Sequence, residues 1–139
     1  MFTKVVNIRG NTPVTRYIGR PRDGSLFHFG NPFEIGKPTT TDPSVMWTRE
    51  TCILAFYDWL AGDERYQRVD PHRREWILNN LEQLRGQTLG CFCAPKCCHG
   101  DAYRVLLGEI TYEDLLDLVK GKPNKVPADP FESAQSSLF

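Results

Sequence analysis

Residues 88–101 read TLGCFCAPKCCHGD, and no other stretch constrains the fold of this chain as tightly. Four of the five cysteines fall in it, and His99 and Asp101 follow at once. Thr88 to Cys93 has strand character, with Leu89, Cys91 and Cys93 on one face and Phe92 on the other. Pro95 ends that strand, because proline has no N–H for a ladder. A helix is predicted from about Gly100 to Leu107, which puts Cys98 and His99 at its opening turn. The passage therefore demands a sheet with a helix starting just beyond the end of one strand.

Three kinds of chemistry fit this pattern. Cys91, Cys93, Cys98 and His99 could close a tetrahedral zinc site, zinc being the one cofactor the pattern admits. The C-x-C-x4-C-H spacing departs from the usual C-x2-C knuckle, and no distant second pair is present. Alternatively, Cys98 or Cys97 at a helix N-terminus has the environment that lowers a thiol pKa. His99 or Asp101 would then handle the proton. The plain alternative is a set of buried thiols shaping a turn. Gly100 permits close approach of a ligand or a neighbouring chain. Asp101 either balances the helix dipole or positions a ribose hydroxyl or a water.

At 139 residues the chain reads as one domain over residues 1–120, followed by a tail over 121–139 that wraps the domain or is mobile. Its 17 basic and 17 acidic side chains cancel, so no global field favours nucleic acid. Residues 1–40 hold six basic and two acidic groups, while 41–70 and 101–139 are each net acidic by three. A local anion pocket near Arg16, Arg20, Arg22 and Lys37 is compatible with this, whereas an extended nucleic-acid track is not expected. The opening MFTKVVNIRG lacks the apolar segment of a secretory signal, and no run approaches the roughly 18 apolar residues of a membrane span. A cytoplasmic setting with reduced thiols and no membrane contact is expected.

Residues 4–8 and 14–19 are β-rich, and pair as a hairpin or lie as an edge strand followed by a core strand. Residues 21–37 hold two prolines and three glycines and read as a long structured loop, of the kind that tends to be functional. A first helix is predicted from Asp42-Pro43 to Gly62, burying Val45, Cys52, Ile53, Phe56, Trp59 and Leu60. A second runs from an Asp70 cap and Pro71 to Gly86, with Ile77, Leu78, Leu81 and Leu84 inward. A last helix opens at Thr111, with Asp114 as its capping partner. Strands alternating with helices favour a small α/β domain with a partly parallel sheet and helices on both faces. Ligands in such sheets bind beyond the carboxyl ends of the strands. Two exits, Ile18-Gly19-Arg20 and Cys93-Ala94-Pro95, could meet at one rim. Arg20 is a planar fork suited to phosphate or carboxylate, or else half of a surface ion pair. Asn31 in Gly30-Asn31-Pro32-Phe33 could read a base or sugar, or close its own turn. His28, between two phenylalanines, faces solvent or a cleft. His72 belongs to the surface. No dinucleotide or triphosphate motif is present.

Over residues 14–107 the chain resembles the DUF4326 family of uncharacterised bacterial and phage domains. The resemblance rests on Tyr17-Ile18-Gly19-Arg20, Gly30-Asn31-Pro32-Phe33, Trp59-Leu60, and above all Cys91-x-Cys93-Ala94-Pro95 with Cys98-His99-Gly100-Asp101. It implies Cys91, Cys93 and Cys98 as the family-like thiols and leaves Cys97 aside, but it implies no activity. A looser similarity to Rossmann-like domains implies a small three-layer fold that binds nucleotide-derived ligands.

The leading expectation is a site for a small phosphorylated ligand, a nucleotide or nucleoside derivative. Gly19, Arg20, His28, Asn31 and Gly100 would bind it, and Cys98, His99 and Asp101 would perform or support any chemistry. A zinc-stabilised module contacting nucleic acid or protein is the alternative. A plain structural or interaction domain is the third, in which the tail docks a partner, and a homo-oligomer fits this reading.

Overall fold

The computed structural model describes residues 2–91 and 99–121. Three strands form its sheet: β1 (Lys4–Asn7), β2 (Arg16–Tyr17) and β3 (Thr88–Cys91). The order is β1-β3-β2, and both pairings are parallel. Lys4 lies opposite Thr88 and Asn7 opposite Cys91, while Arg16 and Tyr17 lie opposite Leu89 and Gly90. The hairpin reading is therefore set aside, because β3 inserts between the first two strands. The sheet is wholly parallel among the described residues rather than partly so. Leu89, Gly90 and Cys91 are consecutive and all buried, as a central parallel strand covered on both faces requires. Gly90 is required by space: a Cβ there would lie 2.6 Å from a Val14 methyl.

Four α-helices accompany this sheet among the described residues: α1 (Arg49–Ala61), α2 (Pro71–Asn80), α3 (His99–Leu106) and α4 (Tyr112–Val119). Short 3-10 turns follow α1 at Glu64–Tyr66 and α2 at Leu81–Leu84. The chain is thus an α/β domain whose buried side chains form one continuous hydrophobic cluster. Phe56 of α1 meets Tyr103 of α3 edge-on, with ring centroids 5.2 Å apart. None of these helices is long and apolar enough to cross a membrane.

The first helix begins later than its Asp-Pro signal predicts. Asp42 instead accepts from the Ser44 amide and hydroxyl, closing a local turn. A bridge between Pro38 and Met46 then holds the chain extended. Thr48 is the real cap: its hydroxyl accepts from the Thr51 amide, and the Thr51 hydroxyl accepts from the Thr48 amide. Val45 therefore stands outside the helix and is half exposed, while Cys52, Ile53, Phe56, Trp59 and Leu60 are buried as the periodicity requires. Gly62 ends α1 in the left-handed region at φ 93°. Asp70 occupies the position before α2, but at φ 36° its carboxylate binds Arg73 and no helix amide. Thr111 and Asp114 form the expected capping box of α4. The Cys93-Ala94-Pro95 exit and the tail beyond Gly121 lie outside the described residues.

Thr48→Ala should lower stability by about 1 kcal/mol in urea denaturation. Asp42→Ala removes only a surface turn and should stay within about 0.5 kcal/mol.

Candidate functional site

Two passages leave adjacent parallel strands at their carboxyl ends: Ile18-Gly19-Arg20 after β2, and His99 at the start of α3 beyond β3. His99 joins them directly. Its Nε2 lies 2.7 Å from the Ile18 carbonyl oxygen, which can only accept, so the neutral ring carries its proton on Nε2. The imidazole is packed edge-on against Phe56 at 5.1 Å. Burial pushes its pKa down from 6.5 to about 4; the Ile18 and Phe29 carbonyls oppose this, and Arg20 and Arg73 add to it. At neutral pH His99 is therefore uncharged, and Nδ1 carries a lone pair.

The loop from residue 28 to 33 forms the facing wall. Its backbone carbonyls are held by side chains from elsewhere. Arg73 Nη1 donates to His28 at 3.0 Å and to Gly30 at 2.6 Å. The Tyr103 hydroxyl donates to Phe29 at 2.5 Å, and Arg20 Nη2 donates to Asn31 at 2.8 Å. The Cys52 thiol donates to Phe33 at 2.9 Å. Arg73 is almost fully buried, lies over the Trp59 ring at 5.3 Å, and has Asp70 Oδ2 on its Nε at 2.8 Å. It is a staple between α2 and the loop.

Between these walls lies a cleft of about 370 Å³, within the range of small-ligand sites. Phe33, Ile35 and Ile53 supply its apolar lining; Arg20, Glu34, Arg49, Asn31, Cys52 and His99 supply its polar one. Three of the predicted residues, Arg20, Asn31 and His99, thus share one cleft. Each has a specific commitment. Arg20 Nη1 forms an ion pair with the Glu34 carboxylate, and both side chains are nearly half exposed. Such a pair contributes about 0–1 kcal/mol, so a ligand can open it cheaply. Asn31 uses its side chain internally. Its Oδ1 accepts from the Phe33 amide at 2.9 Å, and its Nδ2 donates to the Cys52 carbonyl and thiol at 3.1 Å each. The amide is a brace between loop and α1, so only the residue's place in the wall remains for a ligand.

The other predicted residues that the structure describes do not line the cleft. His28 folds back so that Nδ1 accepts from the Gly30 amide at 3.0 Å; burial, then Arg73 and Arg20, lower its pKa. Gly19 serves its turn: the Tyr17 hydroxyl would lie 2.2 Å from a Cβ there. Gly100 admits a neighbouring chain, since a Cβ would meet methyls of Ile18 and Val5 at 2.9 Å. Asp101 is buried and pairs with Arg104 at 3.2 Å. Cys91 is buried at the end of β3. Cys93, Cys97 and Cys98 lie outside the described residues. Among the described residues no group of three or more His, Cys, Asp or Glu side chains could hold a metal ion.

Sequence reasoning misses Arg49, Glu34 and Arg73. Arg49 had a readable signal: a cation in the first turn of a helix opposes the helix dipole, and a residue placed there has another reason to be present. Arg73 had none, since helix periodicity alone puts a charged side chain on the surface. A second cleft, of about 400 Å³, is lined by Trp47, Asp58, Tyr66 and Tyr112. It already holds its own cation, with Arg65 on Asp58 at 3.1 Å, and no predicted site residue lines it.

The chain belongs to the DUF4326 family, a domain of unknown function whose model matches residues 6–109. The resemblance read over residues 14–107 thus extends at both ends. A 35-residue stretch is 46% identical to an uncharacterized 12.4 kDa protein in the nrdA-td intergenic region of Enterobacteria phage T4. The stretch is 25% of this chain and 32% of the relative, so the chain spans about a third of that protein's length. No solved structure gives a significant match.

His99 has a folded-state pKa of about 4 against 6.5 when unfolded, so the unfolded chain binds its proton first as pH falls. Its contribution is fully present above the unfolded value and is lost toward the folded one, by up to about 3 kcal/mol. Urea denaturation across this range should show that loss in the wild type and a flatter profile in His99→Gln. Arg73→Met should cost about 3 kcal/mol through the two abandoned carbonyls. It should also quench or shift Trp59 and Trp76 fluorescence as the loop loosens.

Proposed function

We propose that this DUF4326 domain binds a small phosphorylated ligand, a nucleotide or nucleoside derivative, in the cleft between the β2 exit, the 28–33 loop and the start of α3. The observation that carries the reading is the convergence of Arg20 and Asn31 with His99, distant from both in sequence, on one cleft with an apolar side. Its charge supports the same reading. Two guanidinium groups face one carboxylate, and His99 is neutral, which leaves the cleft net cationic. Phe33, Ile35 and Ile53 offer surface for a base or other flat apolar group.

The position agrees with the rule that ligands in open α/β sheets lie beyond the carboxyl ends of the strands. On that basis we read the domain as a small three-layer, Rossmann-like unit. The buried central strand and the helix starting beyond it support this. Among the expected chemical groups, His99 has the geometry of a proton acceptor: one nitrogen is fixed on a carbonyl and the other carries a lone pair. Asp101 is committed to Arg104, and nothing in the described geometry supports a catalytic role for it.

A zinc-bound turn is the second reading, and one observation favours it. Metal-ligating histidines commonly donate their other ring nitrogen to a backbone carbonyl, as His99 does to Ile18. Cys91, Cys93 and Cys98 would complete the set.

Two experiments separate the readings. A thermal-shift panel of nucleosides, nucleoside phosphates and sugar phosphates should find ligands that raise Tm. Ile35→Glu, at an exposed position on the cleft rim, should weaken them by about tenfold or more while leaving the unliganded Tm nearly unchanged. A panel with no phosphorylated binder would sink the cleft reading. Metal analysis of protein purified without added metal, with thiol titration, addresses the other: stoichiometric zinc shielding three thiols is the expected signature. Metal-free protein with all thiols reactive after unfolding excludes the zinc turn.

A further inference from the structure

The cleft contains two arginines in different states. Arg20 is occupied, with one nitrogen on the Glu34 carboxylate and another on the Asn31 carbonyl. Arg49 is not. Arg49 lines the same cleft, and its Nη1 is buried with no hydrogen-bond partner among the described residues. Leaving one buried donor of a partly buried guanidinium without an acceptor costs about 1–3 kcal/mol, so such groups are rare and call for a reason. The position aggravates the cost: Arg49 opens α1, where the helix dipole is positive. The Thr48 and Thr51 amides of that turn are engaged by the capping box, and neither threonine hydroxyl accepts from the guanidinium. An anionic oxygen in the cleft would complete Arg49 and satisfy the local field together.

Glu34 is the only carboxylate in the lining among the described residues. Its Oε1 is on Arg20, and Oε2 has no hydrogen bond among the described residues. A carboxylate in a net cationic cleft does not bind phosphate, but it accepts hydrogen bonds from vicinal sugar hydroxyls. A polyphosphate, with its several charges, would find one guanidinium lacking an acceptor and be repelled by Glu34.

We infer that Arg49 anchors the phosphate of a ribonucleoside monophosphate and that Glu34 receives the ribose hydroxyls. This rests on the cleft reading above and narrows it to a phosphomonoester that retains its sugar hydroxyls. Asn31 and Arg20 then act as positioning residues: Asn31 braces the loop, and Arg20 holds Glu34 in place.

The test is calorimetric titration of the full chain with a nucleoside, its 5′-monophosphate, the 2′-deoxy monophosphate and the triphosphate, on wild type, Arg49→Gln, Arg49→Lys and Glu34→Gln. Wild type should prefer the monophosphate over the nucleoside, and over the deoxy form, by about tenfold each. The triphosphate should bind no better than the monophosphate. Arg49→Gln should abolish the phosphate preference while still binding the nucleoside, with an unliganded Tm equal to or above wild type because a costly donor is gone. Arg49→Lys, which keeps a charge, should retain part of the preference and covers the case in which the glutamine variant fails to fold. Glu34→Gln should erase the ribose preference alone. An undiminished phosphate preference in both Arg49 variants would overturn the anchor while leaving the cleft reading intact. A tighter triphosphate would overturn the monophosphate class. Wild type that binds none of the four removes the cleft reading itself, and the inference with it.

Discussion

The structure depends on how one loop satisfies its backbone. Residues 28–33 belong to no helix or strand, yet Phe29 and Phe33 are buried in the core. A chain segment taken out of water without a ladder must find other partners for its carbonyls. Here Arg73, Tyr103, Arg20 and Cys52 supply them, from α2, α3, the β2 exit and α1. Each of these side chains ties a different element to the same loop. The loop is therefore the point where the helices and the sheet rim are brought into register. Arg73 is central because its Nη1 alone reaches two carbonyls at once while its charge is met by Asp70 and the Trp59 ring.

That arrangement also explains the cleft. The loop is fixed in place, because Arg73 and Tyr103 hold its carbonyls and its asparagine braces it against α1. His99 stands on the opposite wall, neutral and fixed by Ile18. What remains between them is an apolar floor with two guanidinium groups and one carboxylate. Net positive charge in a partly desolvated space attracts anions more strongly than the same charge on an open surface. The overall neutrality of the chain conceals this, because the acidic segments balance the total elsewhere.

Much of the local structure was legible in the sequence. Thr111 with Asp114, Gly62 and the buried stripe of α1 followed from capping chemistry and helical period, which act over four residues or fewer. The Asp42-Pro43 start was misread because an Asp-x-Ser turn and a helix cap use the same hydrogen bond, and the extended bridge between Pro38 and Met46 decided between them. The place of Arg20 at the exit of a parallel strand was legible in the sequence. Two of the plainer readings held as well, Arg20 as half of a surface ion pair and Asn31 closing its own turn. Asn31 became a brace and Asp101 an ion-pair partner once Cys52 and Arg104 stood beside them.

The sequence by itself determined the alternation of strands and helices, most of the helix ends, and which turns hold unusual polar residues, because these depend on neighbours along the chain. Only the tertiary structure decided the strand order, the burial of Arg73, and which arginine in the cleft is already paired. Those outcomes depend on distances between residues tens of positions apart. An ion pair or an orphaned donor exists only at a separation of a few ångströms, and no local pattern encodes it. The cysteine passage sits at the boundary between the two. Its strand and helix were set by local pattern, and its described end, His99, acquired its meaning only from the Ile18 carbonyl across the sheet rim.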